Sequence, residues 1–126
     1  MLRIPYPDAT SELAKLSHMF ICIAIVYFSC ELLKCQTFKP YHLDSGSQPE
    51  RRIIERPDVT RNPFRHPTII DLDKVFVVSH ALLPDSLKAA KGINDTLYLD
   101  ICNNVDPAIS RIFLPDDDLR SMNYRL

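Results

Sequence analysis

Two runs near the front of the chain decide the fold: Leu16-Ser17-His18-Met19-Phe20-Ile21-Cys22-Ile23 and Leu33-Lys34-Cys35-Gln36-Thr37-Phe38-Lys39-Pro40. The first is fed by Ile4-Pro5-Tyr6-Pro7-Asp8-Ala9-Thr10-Ser11-Glu12, where proline, aspartate and serine supply turn chemistry. Residues 19–26 and 28–36 read as two strands, antiparallel neighbours with a turn near Tyr27. That turn holds neither Gly nor Asn, so the hairpin signal is weak. Pairing the two strands brings His18, Lys34, Gln36 and Thr37 near one another. An imidazole, an ammonium, an amide and a hydroxyl together suit a phosphate.

The remainder of the chain is read outward from that pair. Its 126 residues are sized for one domain, and 46% apolar content is enough for one small core. With 10 Pro and only 2 Gly, short strands and turns are favoured over long helices. A formal net charge of −1 gives no molecule-wide field toward nucleic acid, so any such site must be a local patch. The apolar run from Met19 to Phe28 is about ten residues, against roughly 18–20 needed to span a bilayer. Asp8, Glu12 and two prolines ahead of it make a poor signal peptide. The expectation is a cytoplasmic protein with no membrane segment. The 4 cysteines, Cys22, Cys30, Cys35 and Cys102, form neither a CxxC pair nor a zinc-type ladder and are read as reduced. Cys22 and Cys102 sit among apolar residues, as small hydrophobes do.

Residues 44–67 form a long polar connection, functional or mobile at that length. Residues 68–79 are the next strand region, with Ile69, Ile70, Leu72, Val75, Phe76, Val77 and Val78 as core, and a break at Lys74 suits two short strands. Pro84 and Asp85 open a helix expected to run to Asn103, with Leu87, Ala90, Leu97 and Ile101 on one stripe. Gly92 weakens that helix by about 1 kcal/mol. Residues 106–126 read as an appended tail, with a short helical turn or no fixed structure, behind a domain over 1–105.

The order Pro7-Asp8 turn, Glu12, apolar strand, Lys34-Cys35-Gln36-Thr37, then Ile70-Asp71-Leu72-Asp73-Lys74-Val75-Phe76 and a closing helix resembles the PemK/MazF family over roughly residues 4–103. These are toxin halves of bacterial toxin–antitoxin pairs. The resemblance implies an α+β, mainly β fold: a small bent antiparallel sheet, or partly open Src-homology-3-like barrel, with a C-terminal helix. It also implies a homodimer, a cognate antitoxin partner, and metal-independent cleavage of single-stranded RNA without a cofactor. In that chemistry the ribose 2′-hydroxyl attacks the adjacent phosphate, assisted by a base, an acid and donors for phosphate charge. On this resemblance His18 is the acid or base and Thr37, with Gln36, the phosphate contact. Lys34, Lys39, Arg65 and His66 would stabilise or steer the phosphate. The chain departs from the family pattern: Ser17-His18 stands where an Arg-Pro pair is usual, and Ile70-Asp71 where Arg-Thr is usual. It also begins almost inside the first turn. The alternative is therefore a catalytically inactive relative that binds RNA or protein.

Each residue also has a plainer reading. His18 can bond backbone at a strand start, and Thr37 can serve packing. Arg51, Arg52, Arg56, Arg61 and Arg65 can grip phosphate, with Phe64 stacking a base, or be neutralised by Glu50, Glu55 and Asp58 in the same loop. Asp71 and Asp73 are expected to orient Lys74 or an arginine. Asp116-Asp117-Asp118 lacks the glycine of a calcium loop and reads as a solvated turn. No metal site is expected, and no glycine-rich phosphate loop or hydrolase elbow is present in the sequence.

Overall fold

The computed structural model describes residues 18–43, 46, 48–85, 88–89 and 91–123. The Pro-Asp turn expected ahead of His18 lies outside them. Among the described residues the protein is α+β and mainly β, an open six-stranded sheet with two short helices.

Strand β1 (Met19–Val26) and strand β2 (Ser29–Thr37) pair antiparallel, from Met19 opposite Cys35 to Val26 opposite Ser29. They are joined through Tyr27 and Phe28. Tyr27 takes φ 54°, the left-handed conformation that two-residue hairpins demand and that glycine or asparagine usually supplies. A bulge between Cys22 and Ala24 shifts the register.

β2 is the central strand. Opposite its other edge run β4 (Thr68–Asp71) and β5 (Lys74–Ser79), both antiparallel to it. They form one line interrupted at Leu72-Asp73, immediately ahead of the break expected at Lys74. The aspartates cause the interruption. Asp71 Oδ1 accepts the Asp73 N–H at 2.8 Å, and the Asp73 carboxylate accepts the N–H groups of Glu50 at 2.9 Å and Arg51 at 2.8 Å. Asp73 thereby ties the long connection to the sheet, while Asp71 pairs with Lys74 at 3.5 Å.

Two strands escaped the sequence reading. β3 (Arg52–Glu55) lies inside the polar connection and pairs with β4. β6 (Ser110–Phe113) runs parallel to β5, so the sheet is mixed where an antiparallel one was expected. The strand order is β3-β4-β2-β5-β6, with β1 on the far side of β2.

The expected helix from Pro84 is corrected to α1 (Asp95–Asn104). Asn94 caps it, its side chain accepting the Leu97 N–H at 2.9 Å, and its backbone N–H donates to the Arg61 carbonyl at 2.8 Å. Those bonds and Gly92 stop the helix from extending upstream. Leu97 and Ile101 are its buried stripe; Leu87 and Ala90 lie outside the described residues. The expected tail supplies β6 and α2 (Asp116–Met122), whose first turn holds the three aspartates, where the helix dipole favours them.

The sheet is packed on both faces. One face carries Ile21, Leu33, Cys35, Ile70 and Val75 under α1's Leu97 and Ile101. The other carries Cys30, Leu32, Phe76 and Val78 with Leu119 of α2. Phe20 meets Phe76 edge to face, centroids 6.0 Å apart. Cys22 and Cys102, expected among apolar neighbours, are exposed, whereas Cys30 and Cys35 are buried. Burial pushes the Cys35 thiol up to about 12.

Candidate nucleic-acid interface

Side chains alternate across a strand, so β2 deals the motif Lys34-Cys35-Gln36-Thr37 to two faces. Lys34 and Gln36 share the face that holds Leu32 and Phe76. Cys35 and Thr37 share the other. His18, next to Met19 and so opposite in facing, joins Lys34 and Gln36. The predicted site residues therefore fall into two groups.

The first group is internal. Lys34 keeps only 6% exposure and its Nζ donates to Gln36 Oε1 at 3.3 Å. Burial lowers its pKa, opposed by the nearby Asp71 carboxylate and reinforced by Lys74. His18 Nε2 is buried without a hydrogen-bond partner among the described residues. Burial, then the Lys34 charge, lowers the His18 pKa, so the imidazole is held neutral. Lys34 was expected to meet a phosphate; on a central strand its side chain is instead buried, bonded to Gln36, with the Asp71 carboxylate nearby.

The second group is exposed and lies where three strand ends align. Glu55 at the end of β3 is opposite Thr68, and Thr68 is opposite Thr37 at the end of β2. Beyond that row, the Phe38 N–H donates to the Pro67 carbonyl at 2.7 Å, and Thr68 Oγ1 donates to the His66 carbonyl at 2.9 Å. Register and these bonds bring Thr37, Lys39, Arg56, Arg65 and His66 to one end of the sheet, and all five are exposed. Lys39, Arg56 and Arg65 form no ion pair among the described residues.

Other arginines are held by carboxylates. Arg61 donates to Glu55 at 2.7 Å and to Asp100 at 2.7 Å, and Arg51 pairs with Asp106 at 2.6 Å. Asn62 adds a bond to Glu55 at 3.1 Å. Of the carboxylates expected to neutralise the loop, only Glu55 pairs with an arginine among the described residues, Arg61, which Asp100 also holds; Arg51 is taken up by Asp106 from outside the loop, Arg52 donates to the Pro49 carbonyl, and Lys39, Arg56 and Arg65 remain at the strand ends. Glu55, the nearest carboxylate in register, is already engaged.

The expected stacking residue, Phe64, is buried in the core at 8% exposure. Tyr41 replaces it. A 3-10 turn, Pro40–Leu43, follows Lys39, and within it Tyr41 lies against His42, ring centroids 4.1 Å apart, while staying 54% exposed. His42 is itself pinned, its Nδ1 accepting the Lys39 N–H at 2.8 Å, with Phe38 on its other flank at 5.7 Å. Burial lowers the His42 pKa. Sequence reading missed Tyr41, although Lys39-Pro40-Tyr41 places a cation and an aromatic together past a strand end.

Comparisons with protein-family models, with curated proteins and with solved structures find no match for this chain. No helix among the described residues is long and apolar enough to cross a membrane, and no group of metal-ligating side chains occurs among them.

Proposed function

We propose that this chain binds single-stranded RNA through the exposed end of its sheet. The observation that carries the proposal is the cluster of Lys39, Arg56 and Arg65, without ion-pair partners among the described residues, beside the half-exposed Tyr41 ring. Cations follow a phosphate backbone and an aromatic face accepts any unpaired base, which together suit a single strand. Thr37 and His66 add donors at the same end.

Binding is favoured over cleavage by the arrangement of the two groups. Strand-breaking chemistry needs an acid–base group and a phosphate contact on one cleft. His18 and Thr37 face opposite sides of the sheet, and the free nitrogen of His18 is buried. Neither the antitoxin nor the homodimer implied by the family resemblance is used in this reading.

The test is fluorescence anisotropy with a labelled oligouridylate, alongside incubation of the same RNA with the protein in EDTA. Saturable binding that leaves the RNA intact is the expected result. Fragments with 5′-hydroxyl ends would support the endoribonuclease instead, and no binding at low salt would reject both.

A further inference from the structure

The hairpin of β1 and β2 carries a pair of thiols that RNA binding does not use. Cys22 and Cys30 lie on the same face of the hairpin, on either side of the Tyr27-Phe28 turn. The bulge after Cys22 shifts the register between them, and the Cys22 thiol donates to the Ala24 carbonyl at 3.5 Å within that bulge. The register sets Cys22 diagonally across the hairpin from Cys30, near enough for each thiol and the Lys88 ammonium to influence the others' charge. Their environments differ: Cys22 is exposed, while Cys30 is 2% exposed. One thiol therefore meets solutes and the other waits behind it, the arrangement of an attacking and a resolving cysteine.

We propose that Cys22 and Cys30 are a reversible oxidation site that hydrogen peroxide closes into one intramolecular disulfide across the hairpin. The Cys22 thiolate attacks one peroxide oxygen and the O–O bond breaks. Cys22 becomes a sulfenic acid, and the departing hydroxide takes up a proton to leave as water. The Cys30 sulfur then attacks the Cys22 sulfur, the S–O bond breaks, and the leaving hydroxide removes the Cys30 proton as a second water. Two thiols lose two electrons in total, and the peroxide is reduced to two waters. A thiol reductant restores the pair by exchange. The bridge would clamp the turn that holds Tyr27 in its left-handed conformation and leaves Tyr27 and Phe28 at 94% and 86% exposure.

The experiment treats the reduced full chain with one equivalent of hydrogen peroxide, counts free thiols and maps peptides without reduction. Chymotrypsin cuts after Tyr27 and Phe28, so a bridge keeps the fragments holding Cys22 and Cys30 joined and two hydrogens lighter. Loss of two of the 4 thiols in that fragment pair, reversed by dithiothreitol, is expected. Cys22→Ser, at an exposed position, should abolish the product and leave Cys30 unreacted, and Cys102→Ser should leave the product unchanged. Cys30→Ala repeats the test from the buried side. Oxygen adducts on Cys22 with Cys30 still free, a Cys22–Cys102 bridge, or dimers joined through Cys22 would each overturn the proposal.

Discussion

Neutralising Arg65 should change how RNA binding responds to salt. Lys39, Arg56 and Arg65 are exposed at one end of the sheet and form no ion pairs among the described residues. Each cation that neutralises a phosphate on a single strand contributes about −0.7 to the slope of log K against log salt. Three such contacts give a slope of about −2, so raising salt from about 50 to about 200 mM weakens binding roughly 20-fold. Arg65→Gln removes one contact, leaving a slope of about −1.4 and roughly a 7-fold loss over the same range. Lys39→Gln should behave alike.

Arg51→Gln is the internal control, because Arg51 is already held by Asp106 and should leave the slope unchanged. The assay is anisotropy of a labelled oligouridylate titrated at four salt concentrations. A flat salt response, or equal slopes for the wild type and Arg65→Gln, would refute the assignment of this end of the sheet. A slope that falls for Arg51→Gln but not for Arg65→Gln would move the contact surface to the other flank of the connection.

The remaining predictions concern stacking, pH and the core. Tyr41→Ala should cost about 1–3 kcal/mol of RNA affinity with little change in salt slope, since stacking carries no counterion term. Urea midpoints should fall between about pH 7.5 and about pH 5.5. His18 and His42 both have pKa values lowered in the folded chain, so the unfolded chain binds more protons there. Their stabilisation is complete above the ordinary histidine value and is lost as pH falls through about 6.5 toward the folded values. The slope is at most about 1.4 kcal/mol per pH unit per group, and a midpoint indifferent to pH contradicts it. Leu119→Ala should destabilise the whole chain by about 2–5 kcal/mol in a single unfolding transition, because Leu119 is 0% exposed; a separate early transition would mark the C-terminal segment as independent. Asp73→Ala should cost about 2 kcal/mol, since two backbone N–H groups lose a charged acceptor.

What could be read from the sequence followed from how local the cause was. β1 and β2 were legible because apolar residues run unbroken from Met19 through Tyr27, and the expected bounds differ from those observed by one residue at each end of β2. β3 and β6 were not: Arg52–Glu55 is flanked by arginine and proline, and Ser110–Phe113 is short and finds its partner only through a parallel pairing. The helix was placed too early because Pro84 and Asp85 mimic a start. The deciding cap at Asn94 gains weight from Arg61 and Thr60, which are distant in sequence. The exposed site was half legible. Its arginines were visible as a group, but which were neutralised depended on Asp100 and Asp106, which lie far along the chain.

The division of Lys34 from Thr37 has a more general cause. A strand's side chains repeat every two residues, so a four-residue run such as Lys34-Cys35-Gln36-Thr37 cannot present all its polar groups to one ligand. Two of them must face away, and on a central strand one face's cation then needs a buried counter-charge. Asp71 meets that need at 2% exposure, a buried carboxylate at the C-terminal end of β4 after Ile69 and Ile70. Beyond Thr37 the strand ends, alternation no longer applies, and Lys39 and the 3-10 turn that carries Tyr41 follow beside the loop that carries Arg65 and His66. A ligand-binding group assembled from strand ends escapes the alternation that splits one assembled along a strand. The burial of Lys34 near Asp71 therefore belongs to folding, and on the proposed reading the strand ends are where a phosphate would be met.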